Sequence, residues 1–158
     1  MQIVIVEADL ADAEHQAAIL RLTSAYAIDP MGAGEPLPDD VIERLIPGLQ
    51  AHPTTRVFFA YADGRPAGLA TCFGGFSTFE ARPLLNVHDF AVLEEFRGHG
   101  VGRRLLAAVC ERAKSLGCCK VTLEVRQDND IARGLYETEG FSPAAHGGAG
   151  YLFYAKRL

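Results

Sequence analysis

The run Asn86–Leu106, NVHDFAVLEEFRGHGVGRRLL, carries the most information about the fold of this 158-residue chain. Its first half is apolar and typical of a strand, and Glu94-Glu95 ends that pattern. The glycine-rich segment Arg97–Gly102 follows, and helical apolar spacing begins directly after it. Glycines before a helix let several backbone N–H groups point to one place, where the helix dipole adds partial positive charge. The run therefore predicts a phosphate-binding loop between a strand and a helix.

Two common phosphate loops do not fit this segment. A P-loop has Lys and then Ser or Thr after its last glycine, whereas Gly102 is followed by Arg103-Arg104. The dinucleotide fingerprint has three glycines at its own spacing and an acidic residue about 20 residues further on. Gly98, Gly100 and Gly102 do not match that spacing.

Length and composition predict one globular domain, residues 1–158, long enough to bury a core. The net charge of −5 argues against nucleic acid as a partner and is compatible with a basic peptide or amine. No apolar run approaches the roughly 20 residues that span a bilayer, and the N-terminus does not fit a signal peptide. Cys72, Cys110, Cys118 and Cys119 lack metal-ligand or disulfide spacing. We therefore expect reduced thiols in a cytoplasmic protein, with no metal and no membrane.

Periodicity and turn signals predict the order βααβββαβαββ, with strands paired as hairpins first and strand–helix–strand units later. This order is typical of a mixed α/β (α+β) sheet rather than a doubly wound nucleotide fold. The predicted strands are Gln2–Val6, Thr55–Ala62, Pro66–Phe76, Pro83–Leu93, Cys118–Val125, Phe141–Ala145 and Gly150–Lys156, and the predicted helices are Ala11–Ala27, Val41–Ala51, Gly100–Leu116 and Asp130–Thr138.

Two motifs resemble the GCN5-related N-acetyltransferase (GNAT) superfamily. The first is Arg-x-x-Gly-x-Gly, formed by Arg97, Gly100 and Gly102, at a strand-to-helix turn. The second begins at Leu123-Glu124-Val125-Arg126, continues through Asn129 and Leu135-Tyr136, and ends at Gly140-Phe141. Together they cover about residues 85–141, and they imply a largely antiparallel central sheet of about seven strands flanked by about four helices.

The resemblance implies that acetyl-CoA lies between two strands that splay apart, here Leu85–Leu93 and Cys118–Val125. Splaying leaves backbone groups unpaired, and the amides of pantetheine form hydrogen bonds with these groups. The residues implied for the cofactor are Phe90, Ala91 and Val92 at the pantetheine and thioester, Arg97, Gly98, His99, Gly100, Val101, Gly102 and Arg103 at the pyrophosphate, and Asn129 and Tyr136 on the following helix. An N–H group of the strand would hold the thioester oxygen as negative charge develops.

By the same resemblance, the Tyr136 hydroxyl faces the sulfur and protonates the leaving thiolate. A tyrosine has an ordinary pKa of about 10 and a thiol one of about 8.5, so transfer requires local help or reduces to a hydrogen bond. The alternative is a core tyrosine packed beside Leu135. Asn129 has two roles open to it, a bond to pantetheine or the cap of the helix.

The attacking amine must lose a proton to a base or to a water chain that leads to one. Simple strand alternation places Asn86, His88 and Phe90 on one face and Asp89 on the other. In several members of the family, a Glu or His on this strand, at the position of Asn86 or His88, faces the substrate, and a histidine titrates near neutral pH. His88 is therefore the first candidate base, Glu124 the second by similarity to N-terminal peptide acetyltransferases, and Asp89 the third.

The acceptor pocket is expected between the first two helices, the loop that joins them, and the segment around residues 76–82. The candidate lining residues are Tyr26, Met31, Phe76, Phe79, His88 and Asp89. No residue of this half indicates one particular amine or acyl length.

The resemblance implies an acetyl-CoA-dependent N-acetyltransferase in which a primary amine, of a small molecule or a peptide, attacks the thioester directly within a ternary complex. It also allows a homodimer, which no residue of the sequence indicates. A non-catalytic acyl-CoA sensor or interaction module on the same fold is the alternative, and a binder of nucleotide phosphates is a third reading.

Overall fold

The computed structural model describes residues 1–143, 145–146, 149–150 and 156. The strands are β1 (Ile3–Glu7), β2 (Thr55–Ala62), β3 (Arg65–Ser77), β4 (Arg82–Val92), β5 (Val121–Leu123), β6 (Ala145–His146) and β7 (Ala149–Gly150). The helices are α1 (Ala13–Ile28), α2 (Asp39–Ala51), α3 (Val101–Ser115) and α4 (Asp130–Thr138), with a short 3-10 helix, Glu94–Phe96, before α3.

The central sheet has the strand order β1-β2-β3-β4-β5. Its first four strands are antiparallel neighbours, whereas β5 pairs with β4 in parallel after the crossover through α3. The turn between β2 and β3 has positive φ at both Asp63 (48°) and Gly64 (78°). Positive φ at both central residues is the geometry that an Asp-Gly hairpin turn favours. A mixed, largely antiparallel sheet with four helices is thus confirmed.

The predicted count of seven strands in one sheet is wrong for the described residues, which place five strands in the central sheet. Residues 141–143 of the predicted strand Phe141–Ala145 are not in a strand, and Pro143 has no N–H group for a ladder. The two-residue strands β6 and β7 pair with each other in a separate sheet. Most of the predicted strand Gly150–Lys156 lies outside the described residues.

Each face of the sheet carries its own apolar cluster. On one face, Val101, Leu105 and Val109 of α3 pack against Ala70 and Cys72 of β3 and against neighbouring residues of the sheet. On the other face, Ile19 and Leu22 of α1 and Leu49 of α2 pack against Phe59 and Leu69. We call these the α3 face and the α1/α2 face. No helix in the described part of the chain is long and apolar enough to cross a membrane.

Helix α1 begins and ends where its flanking residues require. The side chain of Asp12 accepts hydrogen bonds from the N–H groups of Glu14 (2.8 Å) and His15 (2.9 Å), which caps the first turn. Asp29 takes extended backbone angles at the other end because Pro30 follows it. The helix therefore places Tyr26 in its last turn, beside the loop that leads to α2.

We expect Leu105→Ala to lower the free energy of unfolding by about 3 kcal/mol, because it opens a cavity under α3 at a side chain that is 0% exposed. Urea unfolding followed by circular dichroism measures the loss. Ile131→Ala is the control, because that side chain is 82% exposed and its loss should change stability by less than about 0.5 kcal/mol. Equal effects from both variants would contradict this packing.

Candidate active site

Strands β4 and β5 pair over a short stretch and then separate. The parallel register joins Leu85 to Val121, Asn86 to Thr122 and Val87 to Leu123. Strand β4 continues to Val92, whereas β5 ends at Leu123. Within the described residues, the later part of β4 therefore has a partner strand only on its β3 side. Because unpaired backbone groups are costly when buried, this edge is suited to a ligand that bears amides.

A β-bulge just before this open edge changes which side chains share a face. Thr71 of β3 lies opposite Asp89, and Cys72 lies opposite Val87, so His88 is the additional residue. Phe90 consequently packs on the α3 face. The ring of His88 contacts Phe73 of the α1/α2 face, with 5.6 Å between centroids. Simple alternation, which grouped His88 with Phe90, is therefore wrong, and His88 and Asp89 both point toward the α1/α2 face.

The glycine-rich segment forms the predicted loop at the N-terminus of α3. Gly98 and Gly100 have φ of 77° and 80°, a region that residues with a Cβ rarely occupy, and Gly100 is the N-cap residue. Val101 is buried in the α3 core, whereas His99 is exposed, with its Nδ1 2.7 Å from the carbonyl oxygen of Arg97. The loop thus offers backbone groups at a helix start, as a phosphate site requires.

Gly102 has a packing role that the sequence did not indicate. A Cβ on this residue would lie 3.1 Å from Leu135 Cδ2 of α4, and 3.6 and 3.7 Å from atoms of Val92 and Phe90. Only a residue without a side chain lets the first turn of α3 approach α4 and β4 this closely. The glycine therefore sets the separation between the phosphate loop and the helix that carries Tyr136.

The arginines around the loop are engaged by protein groups in this structure. Arg97 donates from Nε to the carbonyl of Val92 (2.9 Å) and pairs with Asp29 at 2.5 Å. Arg103 pairs with Glu139, at the end of α4, at 2.9 Å. Arg104 donates to the carbonyl of Ile3 in β1, at 3.3 Å. Arg97 and Arg103 remain predicted pyrophosphate ligands, and both also tie the loop to neighbouring elements.

Tyr136 lies in an aromatic environment next to the open edge of β4. Its side chain is 6% exposed, and its ring lies 5.9 Å from that of Phe90 and 6.0 Å from that of Phe141. Burial, together with the neighbouring Tyr26 hydroxyl, raises the pKa of Tyr136 to about 12. The phenol is therefore protonated at neutral pH.

Asn129 caps α4, one of the two roles left open for it. Its side chain accepts a hydrogen bond from the N–H of Ala132 at 3.1 Å. This bond fixes the start of a helix of nine residues, two turns before Tyr136. The position of the tyrosine therefore depends in part on this cap.

The acceptor side contains a half-buried carboxyl group, Asp89, whose charge acts on Tyr26. Burial raises the pKa of Asp89, and the charge of neighbouring His88 opposes that increase only in part. Burial likewise raises the pKa of Tyr26, and the negative charges of Asp89 and Asp29 add to the effect. The charge of Asp89 thus acts on Tyr26, and His88 directly precedes Asp89 in β4.

The remaining acceptor candidates, and Glu124, the second candidate base, lie in other places. Met31 is in the turn after α1, and Glu124 is exposed just after β5. Phe76 lies opposite Pro83 at the far end of β4, about 20 Å along the strand from Asp89. Phe79 occupies the adjoining hairpin tip and is 94% exposed. The structure does not bring these two phenylalanines to Tyr26.

Sequence reasoning missed Asp29, whose carboxylate joins α1 to the phosphate loop through Arg97. The only local signal at Asp29 is the Asp-Pro pair, which by itself predicts no more than the end of a helix. Among the described residues, no three His, Cys, Asp or Glu side chains are grouped as a metal site would require.

The sequence and the fold match those of known acetyltransferases. The family model described as "Acetyltransferase (GNAT) family" matches residues 19–141, and the chain therefore belongs to that family. An uncharacterized N-acetyltransferase of Archaeoglobus fulgidus is 33% identical over 95 residues, which cover 60% of this chain and 65% of the relative. The N-alpha-acetyltransferase RimI of Mycobacterium tuberculosis is 36% identical over 83 residues, which cover 51% of each chain.

Solved structures extend the similarity of the fold over the full length. The aminoglycoside N-acetyltransferase AAC(6')-Iy, in complex with CoA, superimposes with a TM-score of 0.76 at 22% identity, covering 99% of this chain and 96% of the other. The chain spans less than two thirds of the length of the curated relatives it matches.

We expect Asp89→Asn to raise the melting temperature at pH 7. A carboxyl group whose pKa is higher in the folded than in the unfolded state binds more protons when folded, so ionisation between the two pKa values destabilises the protein. The amide removes that cost. The difference from wild type should shrink as the pH falls toward the ordinary carboxyl pKa of about 3.9.

Differential scanning fluorimetry from pH 4 to pH 8 measures this effect. Asp128→Asn is the matched control, because Asp128 is exposed and paired with Arg126, which lowers its pKa. The control should not stabilise the protein at pH 7. A destabilised Asp89→Asn variant at pH 7 would contradict the burial described for this carboxyl group.

Proposed function

We propose that this protein is an acetyl-CoA-dependent N-acetyltransferase that moves an acetyl group to a primary amine of a small molecule or a peptide. The observation that carries the proposal is the open edge of β4, which begins after Val87 and leads directly into the phosphate loop at Gly98–Gly100. Family membership supports it, as do a relative named as an N-alpha-acetyltransferase and the fold of an aminoglycoside acetyltransferase that binds CoA.

The groove fits the parts of acetyl-CoA in order. The pyrophosphate would contact the N–H groups of residues 98–103 at the start of α3, where the helix dipole favours an anion. The amides of pantetheine would pair with the free edge of β4 over Phe90, Ala91 and Val92. A backbone N–H of this segment would then stabilise the negative charge that develops on the thioester oxygen.

Tyr136 assists the departure of CoA as a hydrogen-bond donor. Its pKa is about 12, so full proton transfer to a thiolate of ordinary pKa, about 8.5, is uphill by about 5 kcal/mol. Donation of a hydrogen bond to the developing thiolate requires no such transfer. The hydroxyl thereby stabilises the negative charge on the sulfur. This charge is greater in the transition state than in the bound thioester.

We assign Asp89 as the group that accepts the proton of the amine, with His88 and Glu124 as the alternatives. Asp89 is the most buried of the three, and its pKa is raised, which makes it a stronger base than an exposed carboxylate. His88 contacts the Phe73 ring in an edge-to-face arrangement and is exposed, as is Glu124. A carboxylate in the cleft also attracts a cationic acceptor.

The amine attacks the thioester carbonyl directly while both substrates are bound. The new C–N bond forms, the C–S bond breaks, and CoA leaves as a thiolate that is subsequently protonated. The four free cysteines are consistent with a reducing compartment, so we propose a cytoplasmic enzyme. A homodimer is part of the proposal through the family alone, and sedimentation velocity would test it.

One screen tests the function against its alternative, a sensor that binds acyl-CoA without catalysis. Release of CoA from acetyl-CoA is measured with polyamines, aminoglycosides, arylalkylamines, amino acids and N-terminal peptides. An amine-dependent release supports the enzyme. Tight CoA binding without turnover on any of these amines would support the sensor, and displacement of CoA by ATP would support a nucleotide binder.

We expect Tyr136→Phe to lower kcat about tenfold while the Kd for CoA changes less than twofold, because the ring still packs on Phe90 and only the donor is lost. Steady-state kinetics and isothermal titration calorimetry measure the two quantities. Tyr61→Phe is the matched control, because that ring packs on Phe59 in the α1/α2 cluster. Unchanged kcat in Tyr136→Phe would exclude the assigned role.

We expect Asp89→Asn to lower kcat/KM by about two orders of magnitude and to remove the acidic limb of its pH profile, because general bases contribute 10²–10⁴-fold. The pH profiles of Asp89→Asn, His88→Ala and Glu124→Gln, measured with the best amine of the screen, identify the base. Retention of the acidic limb in Asp89→Asn, with its loss in one of the other two, would transfer the role to that residue.

A further inference from the structure

Arg97 connects the phosphate loop to the acceptor side of the cleft. Its Nε donates to the carbonyl of Val92, the last residue of β4, and its Nη2 donates to Asp29 Oδ2. Arg97 is the first residue of the glycine-rich segment, whereas Asp29 caps the C-terminus of α1, 68 positions earlier in the chain. One guanidinium therefore joins the cofactor strand, the cofactor loop and the acceptor helix.

Asp29 also organises the turn that follows α1. Its second carboxylate oxygen accepts the N–H of Met31 at 2.8 Å, and its carbonyl accepts the N–H of Gly32 at 2.8 Å. Gly32 lies so close to the last turn of α1 that a Cβ would approach the carbonyl oxygen of Tyr26 to 2.0 Å. The N–H of Glu35 bonds back to Ala27 at 3.2 Å. Residues 29–35, which we call the acceptor turn, thus wrap tightly around the end of the helix that carries Tyr26.

The carboxylate of Asp29 is ionised and largely shielded from water. Its side chain is 17% exposed, against 45% for that of Arg97. Burial opposes ionisation, but the hydrogen bonds from Arg97 and Met31 and the charge of Arg97 outweigh it, so the pKa of Asp29 lies below its usual range. The ion pair is therefore fully formed at neutral pH and is less screened by salt than a surface pair.

We propose that Asp29 is a positioning residue that couples occupancy of the phosphate loop to the order of the acceptor turn through Arg97. The inference rests on the proposed function, because it takes CoA as the ligand of the loop. A guanidinium has five N–H donors, and the bonds to Val92 and Asp29 use two of them. A pyrophosphate can therefore bind the same group while the bond to Asp29 persists.

The coupling arises because binding at either site reduces the conformational freedom of the same connecting residues. A ligand that immobilises the phosphate loop also immobilises Arg97, and through it Asp29 and the acceptor turn. When an amine then binds against Tyr26, the acceptor turn loses less conformational entropy. Because such coupling is reciprocal, the amine strengthens CoA binding by the same factor.

Amide hydrogen exchange of residues 29–35, measured with and without saturating CoA, tests the proposal without knowledge of the amine. In the wild-type protein, CoA should slow exchange in the acceptor turn at least about fivefold, the lower end of typical coupling. In Asp29→Asn, which keeps an oxygen for Met31 but loses the charge, the CoA-dependent slowing should disappear although CoA still binds. Slowing should persist in both proteins at residues 98–103.

Asp40→Asn is the matched control. Asp40 forms an ion pair with Arg44 at the same distance of 2.5 Å, on the acceptor-side helix α2, and both partners are exposed. This variant should retain the full CoA-dependent slowing. An Asp29 with a merely structural role would change exchange in the CoA-free protein and leave the ratio between the two states unaltered.

Arg97→Lys provides a second variant should Asp29→Asn not fold. It keeps the positive charge but loses the planar fork that holds both Val92 and Asp29, so most of the slowing at residues 29–35 should be lost. Equal slowing in wild type and in either variant, with CoA bound, would overturn the coupling alone. Failure of the wild-type protein to bind CoA would overturn the proposed function and the coupling with it.

Discussion

The parting of β4 from β5 after Val87 and Leu123 is the constraint on which the rest of the site depends. A strand in the middle of a sheet normally satisfies its backbone groups on both sides. Here β4 loses one neighbour halfway along its length, and the freed edge leads into the start of α3. The glycine-rich loop therefore follows this edge along the chain. Gly102 lets α3 approach α4 and β4 closely, and the Tyr136 ring of α4 contacts Phe90 of β4.

The local structure of the proposed cofactor half could be predicted from sequence because a few consecutive residues determine it. Gly98 and Gly100 are required where φ is positive, the helix begins directly after them, and Asn129 marks the start of the next helix. Each of these signals depends on a few consecutive residues, and the family motif consists of the same residues. The sheet count failed at residues 141–143, where Pro143 has no N–H group for a ladder.

The acceptor half could not be predicted in the same way because long-range contacts determine it. The bulge at His88 changes which face of the sheet the following side chains of β4 occupy. Residues 86–92 alone do not predict it, because a bulge is a property of two paired strands. The ion pair between Asp29 and Arg97 joins residues 68 positions apart. Each residue has a sufficient local explanation, because Asp29 ends a helix and Arg97 is a predicted phosphate ligand. Sequence patterns identify what one segment can do, not which distant segment it will meet.

The bulge also bears on the chemistry that the cleft can support. By turning His88 and Asp89 to the same face, it places a shielded carboxyl group beside Tyr26, where ionisation costs free energy. An aliphatic ammonium group, with a pKa near 10.4, is a poor proton donor to an ordinary carboxylate, whose pKa is about 3.9. Raising the carboxyl pKa narrows that gap. Burial of Asp89 therefore has two consequences. It lowers the stability of the protein without substrate, and it would make Asp89 a more effective base once an amine is bound.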